Sequence, residues 1–255
     1  MIKMLSLDVD GTLAPQSRPV ISDRIRFQLN RLADKGYQLM LATGRQLHNL
    51  QLVFPELADR LYFGTENGSA VFGPGPEFEL IDITPMDRKD LFSIADVMWE
   101  QPDCEVTVSG ANMQYIIPKS EGFFSYMTET VRNRCAIVSS WDEIQEDVIK
   151  ASAMCPDTAA MRNILLSRCP PGYCYDRTGP EWVDVQLADK SRALDVVCRR
   201  LGIAPDEVAA FGDAYNDIPI LDKVGQPWIR GDSHKSLVDR YPNKFYDIAD
   251  TLSQF

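Results

Sequence analysis

Residues 7–14 read LDVDGTLA and place two carboxylates, Asp8 and Asp10, directly behind the largely apolar run of residues 2–7. Like charges this close to the end of a buried strand repel each other. A divalent cation, a hydrogen-bond network or open solvent can compensate them. The rest of the sequence has to distinguish among these three.

The composition is that of a globular protein with an acidic surface. The 255 residues are 45% hydrophobic, which is enough for a sizeable core in one or two domains. The 37 acidic residues against 26 basic ones leave a net charge of -11, and no Lys/Arg run is interleaved with aromatics. We therefore expect no nucleic-acid partner. A small anionic substrate stays compatible, because local N–H groups and cations can reverse the potential inside one cleft.

The cysteines, histidines and hydropathy point to a protein without zinc or membrane segments. The six cysteines form no CxxC pair and only two histidines are present, so we expect buried, reduced thiols. No apolar stretch approaches the ~20 residues that span a bilayer, and the N-terminus lacks a signal-peptide pattern. We expect a cytoplasmic location and no membrane partner; the oligomeric state is left open.

The first third of the chain predicts a strand, a helix and a second strand. Residues 22–35 read as a helix, because Ser22 is a favoured N-cap, apolar residues recur at helical spacing, and Gly36 follows. The segment YQLMLATGR (37–45) reads as a strand ending in a polar turn, and a short strand follows at 61–63. This order suits a right-handed crossover between parallel strands.

The same order returns near the C-terminus. Asp189 is placed to cap a helix that Gly202 ends, the strand EVAAFGD (207–213) follows, and another helix is expected from Asn216 to Gly225. We therefore expect one parallel sheet assembled from both ends of the chain.

The middle of the chain has a different pattern. A helix is expected over 87–100, and the alternating runs CEVTVS and MQYIIP within 104–118 predict a hairpin. A second hairpin is expected over 173–187, and Ser140 with Glu143 predicts the start of a helix by a capping box. We read residues 84–185 as an α+β domain inserted into an α/β domain made of 1–83 and 186–255.

Polar residues follow the predicted parallel strands at the point where each one ends. Besides Asp8 and Asp10, these are Thr43-Gly44-Arg45, Glu66-Asn67-Gly68 and the segment GDAYND (212–217). In an open parallel sheet such strand ends meet at one crevice, where ligands bind. A plain surface turn is the competing explanation for the first pair. A calcium-binding loop does not fit, because its glycine arrives two positions too early.

These residues resemble the haloacid dehalogenase-like (HAD) phosphohydrolase superfamily. Its signature is DxDGT, then Ser/Thr after a second strand, then Lys, then a GDxxND-type acidic motif; here these are residues 8–12, Thr43, Lys190 and residues 212–217. The match covers residues 1 to about 82 and 186 to about 230. The resemblance implies a Rossmann-like parallel sheet core, with residues 84–185 forming a class IIB (Cof-type) cap that closes over the crevice as a lid.

Chemistry and resemblance together assign roles to these residues. Asp8 is expected to be the nucleophile that forms an aspartyl phosphate, and Asp10 the general acid and then base. The catalytic set is completed by Thr43 and Lys190. The expected phosphate contacts are Gly11, Thr43, Gly44, Lys190 and Asn216. The expected ligands of Mg²⁺ are Asp8, the main-chain carbonyl of Asp10, Asp213 and, directly or through water, Asp217.

We therefore predict a magnesium-dependent phosphatase of small phosphomonoesters, sugar phosphates above all. A phosphomutase of the same fold would use Asp8 but return the phosphoryl group to a sugar. A non-catalytic phospho-ligand-binding protein is the contrasting alternative. Arg45 and Asn67 lie at matching strand ends, but an ion pair and a turn are commoner roles there, so neither is assigned to catalysis.

Overall fold

The computed structural model describes residues 1–15, 20–75 and 77–255. It divides into two compact units. Unit 1 comprises Met1–Arg45, Leu50–Asp82 and Asp189–Phe255, and unit 2 comprises Gln46–Asn49 and Ile83–Ala188. None of the helices in these residues combines the length and apolarity needed to cross a membrane.

The strands of both units are numbered together in chain order. They are β1 (Met4–Leu7), β2 (Gln38–Ala42), β3 (Leu61–Thr65), β4 (Ala70–Phe72), β5 (Leu80–Ile83), β6 (Glu105–Ser109), β7 (Gln114–Ile116), β8 (Cys135–Ile137), β9 (Lys150–Met154), β10 (Cys174–Arg177), β11 (Trp182–Gln186), β12 (Val208–Gly212), β13 (Gln226–Arg230) and β14 (Asn243–Phe245).

The helices are numbered in the same way. They are α1 (Asp23–Asp34), α2 (Leu47–Val53), α3 (Arg88–Trp99), α4 (Phe123–Ser125, continued by a π-helical turn over Tyr126–Thr130), α5 (Thr158–Arg168), α6 (Lys190–Leu201), α7 (Ile218–Leu221), α8 (Lys235–Val238) and α9 (Ile248–Leu252). Short 3-10 turns occur at Pro55–Leu57, Glu66–Gly68, Trp141–Glu143, Pro205–Glu207 and Tyr215–Asp217.

Unit 1 is built on one sheet with the strand order β14-β13-β12-β1-β2-β3-β4-β5. The pairs from β14 to β3 are all parallel, and β4 pairs with β3 in antiparallel orientation. The two ends of the chain therefore meet at the centre of the sheet, where β1 lies between β12 and β2. The predicted α/β class with a parallel sheet core is confirmed.

The caps predicted for α1 and α6 are present in the structure. Ser22 accepts a hydrogen bond from the Ile25 N–H at the start of α1, and Asp189 accepts one from the Ser191 N–H at the start of α6. Gly202 adopts the left-handed conformation (φ 66°) that ends α6. The apolar stripe of α6 packs against the sheet, so this helix holds its first residue, Lys190, at the sheet edge.

Unit 2 contains a second sheet with the order β10-β11-β9-β6-β7-β8. Both predicted hairpins are present as the antiparallel pairs β6–β7 and β10–β11. One face of this sheet packs against α3 and α5 in a single apolar cluster. In the sequence, most of this α+β unit is inserted between segments of unit 1, which agrees with the expected cap. The boundaries 84–185 stay a prediction.

Two predicted helices are shorter than expected. Ser140 does accept a hydrogen bond from Asp142, but only the 3-10 turn Trp141–Glu143 follows, because Ile144 is extended (φ -69°, ψ 125°) and fully buried. The helix expected from Asn216 is a 3-10 turn followed by α7. After Ser140, the burial of Ile144 in an extended conformation overrides the local helix signal.

Candidate active site

The polar residues that follow the strands of unit 1 lie at one edge of its sheet. The strands β12, β1, β2 and β3 are adjacent and parallel, so their carboxyl ends point the same way. Asp213, Asp8, Thr43 and Glu66 follow these four strands in that order. This is the edge at which the sequence predicted a ligand site.

The centre of the site is a cluster of three carboxylates, two of them buried and one partly buried, beside one ammonium group. Oxygen atoms of Asp8, Asp213 and Asp217 all lie within 4.8 Å of one another. The Lys190 Nζ donates to Asp8 Oδ1 and to Asp217 Oδ1, each at 2.6 Å. The side chains of Lys190, Asp8 and Asp217 are 2%, 7% and 1% exposed. The predicted nucleophile and the predicted lysine are therefore in direct contact.

Negative charge exceeds positive charge in this cluster, and the pKa values shift accordingly. Burial raises the pKa of Asp8 well above its usual range; Lys190 opposes this shift, and Asp217 and Asp213 add to it. Burial, followed by Asp217, raises the pKa of Asp213 to about 6. Burial by itself would lower the pKa of Lys190, but Asp217 and Asp8 raise it above its ordinary value. The lysine thus stays charged and pairs with Asp8 and Asp217.

Asp217 fixes the loop that carries Asp213. Its Oδ2 accepts the main-chain N–H groups of Asp213 and Ala214, both at 2.9 Å, while Oδ1 accepts from Lys190. A Cβ atom on Gly212 would lie only 2.5 Å from the Asp217 Cγ, so glycine is required at that position. Asp217 therefore orients both the lysine and the neighbouring acid.

Gly11 and Thr12 close the other side of the cluster. Gly11 has φ 88°, and a Cβ atom there would lie 2.2 Å from Asp213 Oδ2. Thr12 Oγ1 donates to Asp213 Oδ1 at 3.1 Å. The Arg230 Nη1, at the end of β13, donates to the Gly11 carbonyl at 2.7 Å. The sequence analysis missed Thr12, which belongs to the DxDGT motif, and Arg230, whose place at a strand end was the available signal.

Thr43, Gly44, Asn67 and Asn216 lie on the side of the site formed by β2 and β3. Thr43 is buried, and its Oγ1 accepts the Arg45 N–H at 3.2 Å. A Cβ atom on Gly44 would lie 3.1 Å from the Asn67 Oδ1, and the Asn216 Nδ2 approaches that same oxygen at 3.4 Å. Gly44 and Asn216, predicted phosphate contacts from two separate segments, are thus neighbours of the Asn67 side-chain amide.

Asp10 is not one of the three clustered carboxylates, and Arg45 binds its side chain. The Arg45 Nε donates to Asp10 Oδ2 at 2.6 Å, and Nη2 donates to Oδ1 at 2.5 Å. The pair is bidentate, with Arg45 13% and Asp10 37% exposed. The sequence analysis left Arg45 out of catalysis, yet it binds both oxygens of the predicted general acid.

The donors of the cluster fit Mg²⁺. Carboxylate oxygens are the hard ligands that this ion prefers. Lys190 pairs with two of the three acids, Asp8 and Asp217, which leaves an excess of negative charge for a divalent cation to neutralise. Burial is the main cause of the raised pKa values of Asp8 and Asp213, and the neighbouring carboxylates add to both shifts.

Comparison with known proteins bears on this geometry. The model of the haloacid dehalogenase-like hydrolase family matches residues 5–240, which confirms the resemblance read from the sequence.

Two curated relatives are phosphatases by name. The chain is 24% identical over 229 residues to the 5-amino-6-(5-phospho-D-ribitylamino)uracil phosphatase YbjI of Escherichia coli K12, covering 88% of this chain and 83% of that protein. It is 23% identical over 261 residues to the HMP-PP phosphatase of Cronobacter sakazakii, covering 95% and 89% of the two chains.

The fold also matches that of a solved structure. The HAD subclass IIB sugar phosphatase BT4131 aligns with a TM-score of 0.81 at 22% identity, over 99% of this chain and 98% of that one. At this identity the likeness shows the fold alone.

Proposed function

Because the chain belongs to the haloacid dehalogenase-like hydrolase family, we propose that it is a magnesium-dependent phosphatase that acts through an aspartyl phosphate on Asp8. Its substrates are small phosphomonoesters, sugar phosphates above all. The observation that carries this proposal is the environment of Asp8: it is buried, accepts a hydrogen bond from Lys190, and lies beside two further carboxylates. A carboxylate in that setting is a nucleophile whose repulsion from a phosphate dianion can be cancelled.

The substrate class draws on the relatives. One is named for a phosphorylated ribitylamino-uracil and another for HMP-PP, and both names describe small phosphorylated metabolites. We infer the same class of substrate for this chain.

Asp8, Asp213 and the main-chain carbonyl of Asp10 would hold Mg²⁺, with Asp217 as the supporting acid. When bound, the ion supplies positive charge that offsets the repulsion between Asp8 and the phosphate and fixes an in-line geometry.

The chain's own residues carry the remaining steps. Lys190 neutralises Asp8 and the incoming phosphoryl group, since its Nζ already lies 2.6 Å from Asp8. Thr43, Asn216 and the main-chain N–H group at Gly44 bind the phosphate oxygens. The Gly11 N–H donates to the Ala14 carbonyl at 2.8 Å, so Gly11 contributes the turn of the chain and not this donor. The contacts of Gly44 and Asn216 with the Asn67 side chain preserve the shape of that pocket.

Asp10 donates a proton to the leaving oxygen, and then takes one from the water that hydrolyses the intermediate. Both tasks require its carboxylate to leave Arg45, because the bidentate pair occupies both oxygens. Arg45 therefore acts as a positioning residue that holds Asp10 until substrate binds.

The test is phosphate release from purified protein with a panel of phosphorylated sugars and phenyl phosphate. We expect activity with Mg²⁺, loss on EDTA treatment, and loss in Asp8→Asn with folding preserved. Asp34→Asn is the matched control, because Asp34 is an exposed helix residue paired with Arg60. Full activity of Asp8→Asn would overturn the proposal. Isomerised sugar phosphate without free phosphate would indicate a mutase, and binding without turnover a sensor.

A further inference from the structure

Arg230 lies outside the motifs that carry the family resemblance, and its guanidinium group is held in one orientation. It is the last residue of β13. Its Nε and Nη2 donate to the two carboxylate oxygens of Asp232, at 2.6 Å and 3.0 Å. Its Nη1 donates to the Gly11 carbonyl at 2.7 Å. Because the group is planar and all three nitrogens have partners, the side chain has little freedom to turn away from Gly11.

The bond to Gly11 joins strands that are not neighbours. In the sheet of unit 1, β12 lies between β13 and β1. The Arg230 side chain therefore links the segment that follows β1 to a strand two positions away. Within that segment the Gly11 N–H donates to the Ala14 carbonyl and the Ala14 N–H to the Val9 carbonyl, both at 2.8 Å. The main chain thus closes a tight turn, and Arg230 ties that turn to the end of β13.

The position of this turn determines where the Asp213 carboxylate lies. A Cβ atom on Gly11 would lie 2.2 Å from Asp213 Oδ2, so the main chain of Gly11 packs directly against that oxygen. The Thr12 Oγ1 donates to the other oxygen, Oδ1, at 3.1 Å. A shift of the turn would press on one oxygen or break the bond to the other. The contacts form a chain from Arg230 through Gly11 and Thr12 to Asp213.

The charge of Arg230 opposes metal binding, in contrast to its contacts. Hydrogen bonding to Asp232 raises the pKa of Arg230 against the effect of burial, and the charge of Asp213 adds to the rise. Asp213 is therefore within electrostatic range of the guanidinium, and a cation in that range weakens the attraction of the carboxylate for a divalent ion. Loss of the charge alone would strengthen Mg²⁺ binding, whereas loss of the positioning contact would weaken it.

We propose that Arg230 is a positioning residue that sets the affinity of the site for Mg²⁺, because it holds the turn of Gly11 and Thr12 against Asp213. The inference rests on the proposed phosphatase function, in which Asp213 is a ligand of the ion. Loss of a group that orients a metal ligand commonly lowers metal affinity about 10- to 100-fold. Arg230 acts through two intervening residues, so we expect an effect at the lower end of this range.

Isothermal titration calorimetry with MgCl₂ measures the affinity without turnover. Arg230→Met should weaken Mg²⁺ binding about tenfold. Arg230→Lys should fall between Arg230→Met and wild type, because an ammonium group reaches Gly11 or Asp232 but lacks the fork that binds both. Arg240→Met is the matched control, since Arg240 forms a bidentate pair with Asp222 at the surface and carries the same charge. It should leave the Mg²⁺ affinity unchanged.

A double variant tests the route through the turn. Thr12→Val removes the hydroxyl that donates to Asp213 and keeps the branched shape of the side chain. If Arg230 acts through this turn, the double variant Thr12→Val/Arg230→Met should lose less affinity than the product of the two single losses. Losses that multiply would show that the two residues act independently, and would overturn the proposed route.

Melting temperatures separate a role in the fold from a role at the metal site. A purely structural role predicts a lower melting temperature for Arg230→Met with unchanged Mg²⁺ affinity, and that result would overturn the inference. Tighter Mg²⁺ binding by Arg230→Met would overturn it as well, because only the charge would then matter. If Arg230→Met does not fold, Arg230→Lys provides the same comparison. A wild type that binds no Mg²⁺, or activity that survives EDTA, would instead overturn the proposed function.

Discussion

Replacing Lys190 by methionine removes the only ammonium partner that the structure records for the carboxylate cluster within residues 1–15, 20–75 and 77–255. Methionine keeps most of the side-chain volume, so the change isolates the charge. Lys190 is 2% exposed and donates to Asp8 and Asp217 at 2.6 Å each. Breaking one side of a buried ion pair costs about 3–5 kcal/mol. For a chain of this size that corresponds to a fall in Tm of roughly 6–20 °C.

The stability lost in Lys190→Met should increase as the pH rises. Without the ammonium, the pKa of Asp8 rises further above its unfolded value, because burial already raises it and Lys190 opposes that rise. A carboxyl with a raised pKa in the folded state binds more protons there than in the unfolded state. Stability therefore falls as pH rises from the unfolded pKa of about 4 through the folded pKa. The difference in the free energy of unfolding between Lys190→Met and wild type should be larger at about pH 7.5 than at about pH 5.

Urea unfolding at the two pH values measures the effect, with Lys223→Met as the matched control. Lys223 pairs with Asp195 at the surface, where the side chains are 36% and 37% exposed. Such a pair contributes about 0–1 kcal/mol. Equal stability losses in Lys190→Met and Lys223→Met, or a gap that narrows with rising pH, would refute the electrostatic account of the cluster.

Three further predictions concern the site and the core. Arg45→Gln should lower kcat about tenfold or more, since Asp10 then lacks the partner that positions it before substrate binds; Arg45→Lys should fall between it and wild type, and equal steady-state rates for all three would show that the pair has no role in turnover. Because burial raises the pKa of Asp213 to about 6, Mg²⁺ should bind more weakly below about pH 6 and release protons there, as calorimetry in two buffers would show; constant affinity down to about pH 5 would contradict this. Burial raises the pKa of Cys155 to about 12, so iodoacetamide should label it only after unfolding, and rapid labelling of the native protein in mass spectra would contradict its burial.

The sequence predicted the centre of the site because two strong regularities coincide there. Apolar runs ending in polar residues identified the strands, and parallel strands direct their carboxyl ends to one edge of the sheet. Asp8, Asp213 and Lys190 come from opposite ends of the chain, yet their order along the sheet follows from that rule. The DxDGT and GDxxND motifs predicted which of these residues act as nucleophile, general acid and metal ligands.

Other features depend on contacts that no local pattern encodes. The side-chain conformation that takes Arg45 to Asp10 follows from packing around a long, flexible side chain. The expected helix after Ser140 ends within one turn because Ile144 is drawn into the core of unit 2. The pairing of β6 with β9 and of β9 with β11 joins segments about 30 to 80 residues apart, which alternation by itself does not pair.

The central claim is that the phosphoryl group is transferred to water in two displacements, and that Asp8 is the nucleophile of the first. The stereochemistry at phosphorus tests it most directly, using a phosphorothioate ester that carries two oxygen isotopes and is hydrolysed in water containing the third, so that the product thiophosphate is itself chiral. Two in-line displacements predict net retention of configuration, with no turnover in Asp8→Asn. Net inversion would show that water attacks the substrate directly, and would contradict an intermediate on Asp8.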